Sequence, residues 1–403
     1  ELAGIVEYKD NEISSDENTA GEINMTPAQH WFFSKDLSIP DFYNHSMFLK
    51  VPKGLNEDHL SVIFSEIVKH HDGLRSKFIL DDSERKQIIS ETDNMVQNIF
   101  SVKGIKKSDI GHIGNDISEL QRSIDIKNGI LIKARLYKQE DHDEDRLLII
   151  IHHLVTDGIS WRILLGDIFN GYSQLSKGEE LSFRPKTTSL KTWGELLKQY
   201  SDSEKLSIEK DHWLKLTEDK FPDIPADFSQ SRELNTVESS ETVSIEIDNE
   251  QTELLLKEVP KAYNTHIDEI LLTALIIAFN KWSKGNKLLI DLEGHGREQL
   301  SEDTDLSGTT GWFTAIYPVM LNTFTTNSTN EEISETIKTI KENIRQIPDK
   351  GFGFGILKYL SSDKSIKEKL CSMPEREIIF NYLGQFNESI AQGSDWKTGK
   401  QSL

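Results

Sequence analysis

Two adjacent histidines, His152 and His153, end the apolar run 147–151 in RLLIIIHHLVTDGISWR, and Asp157-Gly158 follows them. A buried strand that delivers an imidazole to its end, turns on a glycine and enters a helix is a way to set a base in a cleft. Neighbouring side chains of a strand point to opposite faces, so the two histidines do not share one site. That geometry argues against joint metal ligation and for one catalytic and one structural imidazole. Asp157, next to a turn, is poorly placed as a base and is expected to anchor the loop through a salt bridge. A second ionisable cluster, EGHGRE (293–298), follows the apolar run 287–292. Its glycines allow close backbone approach, and Glu293 could be the carboxylate half of an acid–base pair. GTTGWFTAIYPV (308–319) sets Trp312 between glycine and proline, and IIFNYLGQF (378–386) carries Asn381 and Tyr382 in an otherwise apolar strand. Buried polar groups need partners, and a ligand is one such partner.

Positioning these residues requires a mixed set of elements. Thr26 and Pro27 read as the cap and first turn of a helix through AQHWFF. Leu60, Ile63, Phe64, Ile67 and Val68 recur at helical spacing, with Gly73 as the stop. HHDGLRSKF (70–78) resembles the 152–158 stretch in composition but lies at a helix end, where its histidines suit the dipole and Arg75 a packing or ion-pair role. Helix is expected over 159–175, and 176–189 is a loop. Polar helices around Trp193 and Trp213 should lie on the outside. TVSIEI (242–247) alternates like a half-buried strand. Residues 267–282 and the isoleucines at 333, 337, 340 and 344 mark two further helices. Strands and helices alternate, so the class is α/β or α+β. GFGFG (351–355) lacks the basic residue of a phosphate loop, which discounts nucleotide binding.

The whole chain sets wider bounds. Its 403 residues, 36% hydrophobic, suggest two lobes. A formal net charge of -21 argues against nucleic acid or an anionic membrane as partner. One cysteine, Cys371, precludes an intrachain disulfide and fits the cytoplasm. The longest apolar stretch, 270–279, is too short to span a bilayer.

In this order the segments resemble the epimerization domains of nonribosomal peptide synthetases, part of the condensation-domain superfamily. The resemblance runs from about Met25 to Phe386. TPAQHWF is similar to the opening motif, with Ala28 where isoleucine is usual. HHLVTDGISWRIL matches HHxxxDG and its extension, and IDEILLTALIIAF, EGHGRE, GWFTAIYPV, PDKGFGFG and FNYLG match the rest. EGHGRE and FNYLG discriminate, since ordinary condensation domains share HHxxxDG but not these. The resemblance implies two chloramphenicol-acetyltransferase-like lobes in a V-shaped pseudodimer, with the active site in a tunnel between them. The expected division is 1–20 as the tail and linker of an upstream carrier domain, 21–180 as the N-terminal lobe and 181–403 as the C-terminal lobe. The implied substrate is an L-aminoacyl or peptidyl thioester on the phosphopantetheine arm of an upstream peptidyl carrier domain, with a D-accepting condensation domain downstream. His153 and Glu293 are then the acid–base pair. His152, Asp157, Gly158, His295 and Arg297 are supporting residues, with Asp157 paired to Arg297. Asn381, Tyr382 and Trp312 are candidates for holding the thioester or its enolate. No metal or cofactor of its own is implied. The alternatives are an amide-forming condensation domain and a non-catalytic recruitment domain of the same superfamily.

Overall fold

The computed structural model describes residues 19–81, 85–92, 98–106, 113–140, 142–218, 224–226, 236–323, 329–384 and 396–398. The expected carrier tail and most of the linker, 1–18, lie outside these, as does the end of IIFNYLGQF beyond Gly384.

The strand that ends at the histidines is β7 (Glu144–His152), in a five-stranded sheet of order β11-β2-β7-β6-β5. Its neighbours are β2 (Asn44–Pro52) and β6 (Ile132–Gln139), both antiparallel to it, with β5 (Phe100–Ile105) parallel to β6 and β11 (Lys397–Thr398) antiparallel to β2. Leu147, Ile149 and Ile151 pack into one core and Leu148 and Ile150 into another. A strand covered on both faces has no polar side to show, hence the unbroken apolar run. A second sheet joins β1 (Gly21–Ile23), β4 (Arg85–Ile89) and β3 (Ser76–Leu80) in that order, all antiparallel. The third is β10-β8-β9, with β8 (Lys287–Gly294) parallel to β10 (Ile379–Phe380) and antiparallel to β9 (Ala315–Asn322).

Among the described residues, twelve α-helices pack around these sheets. Those on the first half of the chain are α1 (Pro27–Ser34), α2 (Glu57–His70), α3 (Gly114–Arg122) and α4 (Gly158–Ser176). Then come α5 (Leu190–Tyr200), α6 (Glu204–Glu218), α7 (Asn249–Glu253), α8 (Val259–Tyr263), α9 (Ile267–Ser283), α10 (Asn330–Arg345), α11 (Phe352–Tyr359) and α12 (Lys364–Cys371). Helix α2 shows why such segments form: Asn56 caps its start, Glu57 and Asp58 sit in the first turn and Lys69 and His70 in the last. Its stripe from Leu60 to Val68 is buried. Among the described residues no helix is long and apolar enough to cross a membrane.

Several expectations need correction. Gly73 does not cap α2; His71 does, and Gly73 lies in a 3₁₀ turn, Asp72–Arg75. Its missing side chain serves another end, since a Cβ there would stand 3.0 Å from the Thr310 carbonyl oxygen. Trp193 and Trp213 are each 1% exposed, so α5 and α6 lie outside by one face only and drive their tryptophans into the core. TVSIEI forms no strand. Its alternation is extended but unpaired, and Val243 and Ile245 are exposed. A period-two pattern leads to burial only where a sheet edge accepts it. Among its described residues, IIFNYLGQF forms a strand only at Ile379 and Phe380.

The cores also exchange residues across the chain's midpoint. The core built from residues 25–168 receives Trp312 and Trp396, and that of 190–373 receives Ile23 and Ile89.

Candidate functional site

The site grows from the end of β7. His152 is fully buried, and its ring is fixed at both nitrogens: Nε2 donates to the Pro40 carbonyl at 2.9 Å and Nδ1 accepts from the Leu154 amide at 3.1 Å. Burial pushes its pKa down to about 4. His153 faces the other way. Its Nδ1 donates to the Thr156 carbonyl at 2.8 Å, so in the neutral ring Nε2 carries the lone pair. Burial lowers its pKa, against the opposing pull of main-chain hydrogen bonds and Asp157.

An aromatic nest holds that imidazole. Tyr43 stacks on it at 5.4 Å and 11°, Trp312 lies 4.1 Å away and His45 only 3.7 Å away, centroid to centroid. Burial first and His153 second depress the pKa of His45 to about 3. Helix α1 ties these parts together. Thr26 donates from its hydroxyl to the Trp312 carbonyl at 2.9 Å, and the Gln29 amide donates to the Leu154 carbonyl at 2.9 Å. The TPAQ segment is therefore a brace for the histidine loop.

Asp157 caps α4, accepting from Ser160 N at 2.7 Å, and also accepts from Phe313 N at 3.2 Å. Its carboxylate meets Arg297 at 3.1 Å, both side chains 7% exposed. The paired charges expected from the sequence are in contact. Arg297 further donates to the carbonyls of Leu306 and Thr309 and to Ser160 Oγ, and lies 4.0 Å over the Phe313 ring. EGHGRE and HHLVTDG are thus locked to each other. Gly296 makes the lock possible: its φ is +66°, and a Cβ there would stand 1.7 Å from the Phe313 carbonyl oxygen. His295 accepts from Arg297 N at 3.0 Å, with its other nitrogen 3.6 Å from Glu298. It shapes the turn. Gly158, the exposed first residue of α4, has open space where a side chain would be.

Glu293 lies inside β8, opposite Ile316 of β9. The strand runs to Gly294, two residues past the expected end. Asn381 donates to Glu293 Oε2 at 2.6 Å. Burial dominates nonetheless and, with the Asp291 charge, holds the carboxyl up at about 7. No hydrogen bond or ion pair joins Glu293 to His153 among the described residues. Tyr43 connects them: its ring lies on His153, and the Glu293 charge, after burial, raises the pKa of its hydroxyl. The site therefore sets a neutral imidazole lone pair beside a carboxyl that retains its proton up to about neutrality.

Two expected ligands sit differently. Asn381 is exposed, not buried, and its amide is committed to Glu293. Tyr382 is half-buried, its pKa raised by burial first and the Asp268 charge second, and among the described residues it makes no ring contact with His153 and no hydrogen bond to Glu293. Sequence reasoning missed Tyr43 and His45. Their only signal is the period-two spacing of Tyr43, His45 and Met47 leading into β2, beside the strand that bears the histidines.

A family model for the condensation domain matches residues 19–403. Bacitracin synthase 3 of Bacillus licheniformis is 40% identical over 393 residues, 97% of this chain but 6% of that protein. Surfactin synthase subunit 2 of Bacillus subtilis is 36% identical over 97% of this chain and 11% of its own length. The chain thus spans a small part of each of these relatives, 11% at most. The crystal structure of the epimerization domain from the third module of tyrocidine synthetase B superposes with a TM-score of 0.87 at 34% identity, covering 96% of this chain and 86% of that one. An X-domain from teicoplanin biosynthesis has the same fold at a TM-score of 0.71 and 15% identity, covering 91% of this chain and 76% of that one. The chain belongs to the condensation-domain family and has its α/β, chloramphenicol-acetyltransferase-like fold.

Proposed function

We propose that this domain epimerises the Cα of an aminoacyl or peptidyl thioester carried on the phosphopantetheine arm of a peptidyl carrier domain. The observation that carries this reading is Glu293, a carboxyl at about 7, linked through Tyr43 to the imidazole His153. The likeness to the tyrocidine synthetase epimerization domain supports it.

The Cα–H of a thioester is a weak acid, so the site must supply a positioned base and a home for the enolate charge. One of Glu293 and His153 takes the proton while the electron pair moves onto the carbonyl oxygen. The other returns a proton to the opposite face as that pair moves back. Burial favours the arrangement with the shared proton on Glu293 and the lone pair on His153 Nε2. One inversion transfers that proton to the imidazole and leaves the state suited to the reverse reaction. Asn381 orients Glu293, while Asp157 and Arg297 hold the halves in register.

In this reading the lobes are 21–180 and 181–403, the arm enters a tunnel between them, and the domain requires no cofactor of its own. An upstream carrier, a downstream condensation domain that accepts the D form and a cytoplasmic setting belong to the same reading.

The test is to load an L-aminoacyl carrier, incubate it with the domain in deuterated water, and analyse the released acid. Cα deuterium with an L/D mixture is expected. An amide formed with a second loaded carrier, without exchange, points to condensation instead. Neither product points to recruitment.

A further inference from the structure

Resting on the epimerase reading, we propose that the Tyr43 hydroxyl donates the hydrogen bond that stabilises the enolate oxygen while the proton passes between Glu293 and His153.

The ring of Tyr43 is fixed. It stacks on His153 at 5.4 Å and lies 5.2 Å from Phe32 and 6.1 Å from Trp312, and its own carbonyl accepts from His153 N at 2.9 Å. The base and the phenol therefore move as one unit. Stacked flat, the phenol cannot hydrogen-bond the imidazole beneath it, so the His153 lone pair stays available.

The hydroxyl itself is uncommitted. Half-buried, it makes no hydrogen bond to any described residue. A polar group in such a place calls for a partner. It lies close enough to Glu293 for the carboxylate charge to act on it, and that charge, with burial, keeps it a phenol and hence a donor.

The other donors expected from the sequence, Asn381, Tyr382 and Trp312, are less well placed. The Asn381 amide serves Glu293. Tyr382 makes no ring contact with His153 among the described residues. The Trp312 indole nitrogen is buried without a partner. Tyr43 alone of these combines a free, half-buried donor with contact to the site's base.

During the step the Cα–H bond breaks, its proton goes to the base, and the electron pair ends on the carbonyl oxygen. Tyr43 keeps its proton throughout and gives only a hydrogen bond, strongest when that oxygen is charged. Such an interaction acts on kcat and spares ground-state binding.

The test compares wild type, Tyr43→Phe and a fluorotyrosine replacement at position 43, using aminoacyl carrier and Cα deuterium exchange. Tyr43→Phe should keep its KM and lose on the order of 10²–10³-fold in kcat, the usual effect of deleting one oxyanion donor. Fluorotyrosine should restore most of the rate and add a fall in rate at its own lowered pKa. A Tyr43→Phe rate within about threefold of wild type overturns the proposal. Should Tyr43→Phe fail to fold, the fluorotyrosine profile decides, and one identical to wild type overturns it equally. Wild type without any exchange sinks the epimerase reading instead.

Discussion

His70-His71 and His152-His153 are both followed by an Asp-Gly pair, yet the molecule uses them in opposite ways. His71 commits Nε2 to Asp167 at 2.9 Å, with side chains 3% and 10% exposed, while neighbouring Asp72 pairs with Arg75 and Lys186. His71 is closed. At the second pair His152 is closed just as firmly, but on main-chain groups, and His153 is held by one nitrogen only. A carboxylate partner occupies the ring nitrogen outright. A carbonyl orients the ring and fixes its tautomer without adding charge. What separates a structural histidine from a reactive one here is which nitrogens are occupied and by what. The sequence neighbours do not decide it.

The sharpest break in this contrast is His153→Ala against His71→Leu. The first should cut Cα exchange on the order of 10²–10⁴-fold with little loss of stability, as measured by exchange and denaturation together. The second should leave turnover per folded molecule intact and cost about 1–3 kcal/mol in urea unfolding, because Asp167 loses its buried partner. Asp157→Ala probes the lock rather than the chemistry. It should destabilise by about 3–5 kcal/mol, since Arg297 is then buried without its counter-ion.

A smaller effect is the pH dependence. Inversion requires one proton on the His153–Glu293 pair, so kcat/KM should be bell-shaped. It should fall above about 7, where Glu293 ionises, and below the depressed pKa of His153. A profile that keeps rising beyond pH 8 would sink the two-group scheme.

Smallest is the effect of Glu293 on stability. Its carboxyl titrates at about 7 in the fold against an ordinary value of 4.5, so the fold retains a proton that the unfolded chain gives up. Stability therefore declines as pH rises through that window. Glu293→Gln should raise the melting temperature by a few degrees at pH 8 and change it little at pH 5.

Much of the site was legible because its residues sit in long, ordered motifs. Strand ends and glycine turns single out the 152–158 and 293–298 stretches, local features that leave a local pattern, while the roles of His153 and Glu293 and the Arg297 partner of Asp157 come from the family resemblance. Tyr43 and His45 were not, because their meaning is non-local. They reach His153 only through the β2–β7 pairing, in which Asn44 sits opposite His152. TVSIEI misled for the converse reason, having the right period with no strand beside it. Tyr382 stands next to Asn381 in sequence, but the short β10 stops at Phe380, and beyond it nothing fixes the alternation of faces.

Gly296 shows why a signature letter need not report chemistry. The Phe313 carbonyl crosses where its side chain would be, and Phe313 N is held by Asp157. Any residue larger than hydrogen at that point would act as a wedge driven between the 293–298 turn and the Phe313 main chain. On the epimerase reading, a natural variant there would lose activity with every proposed reactive group still in place.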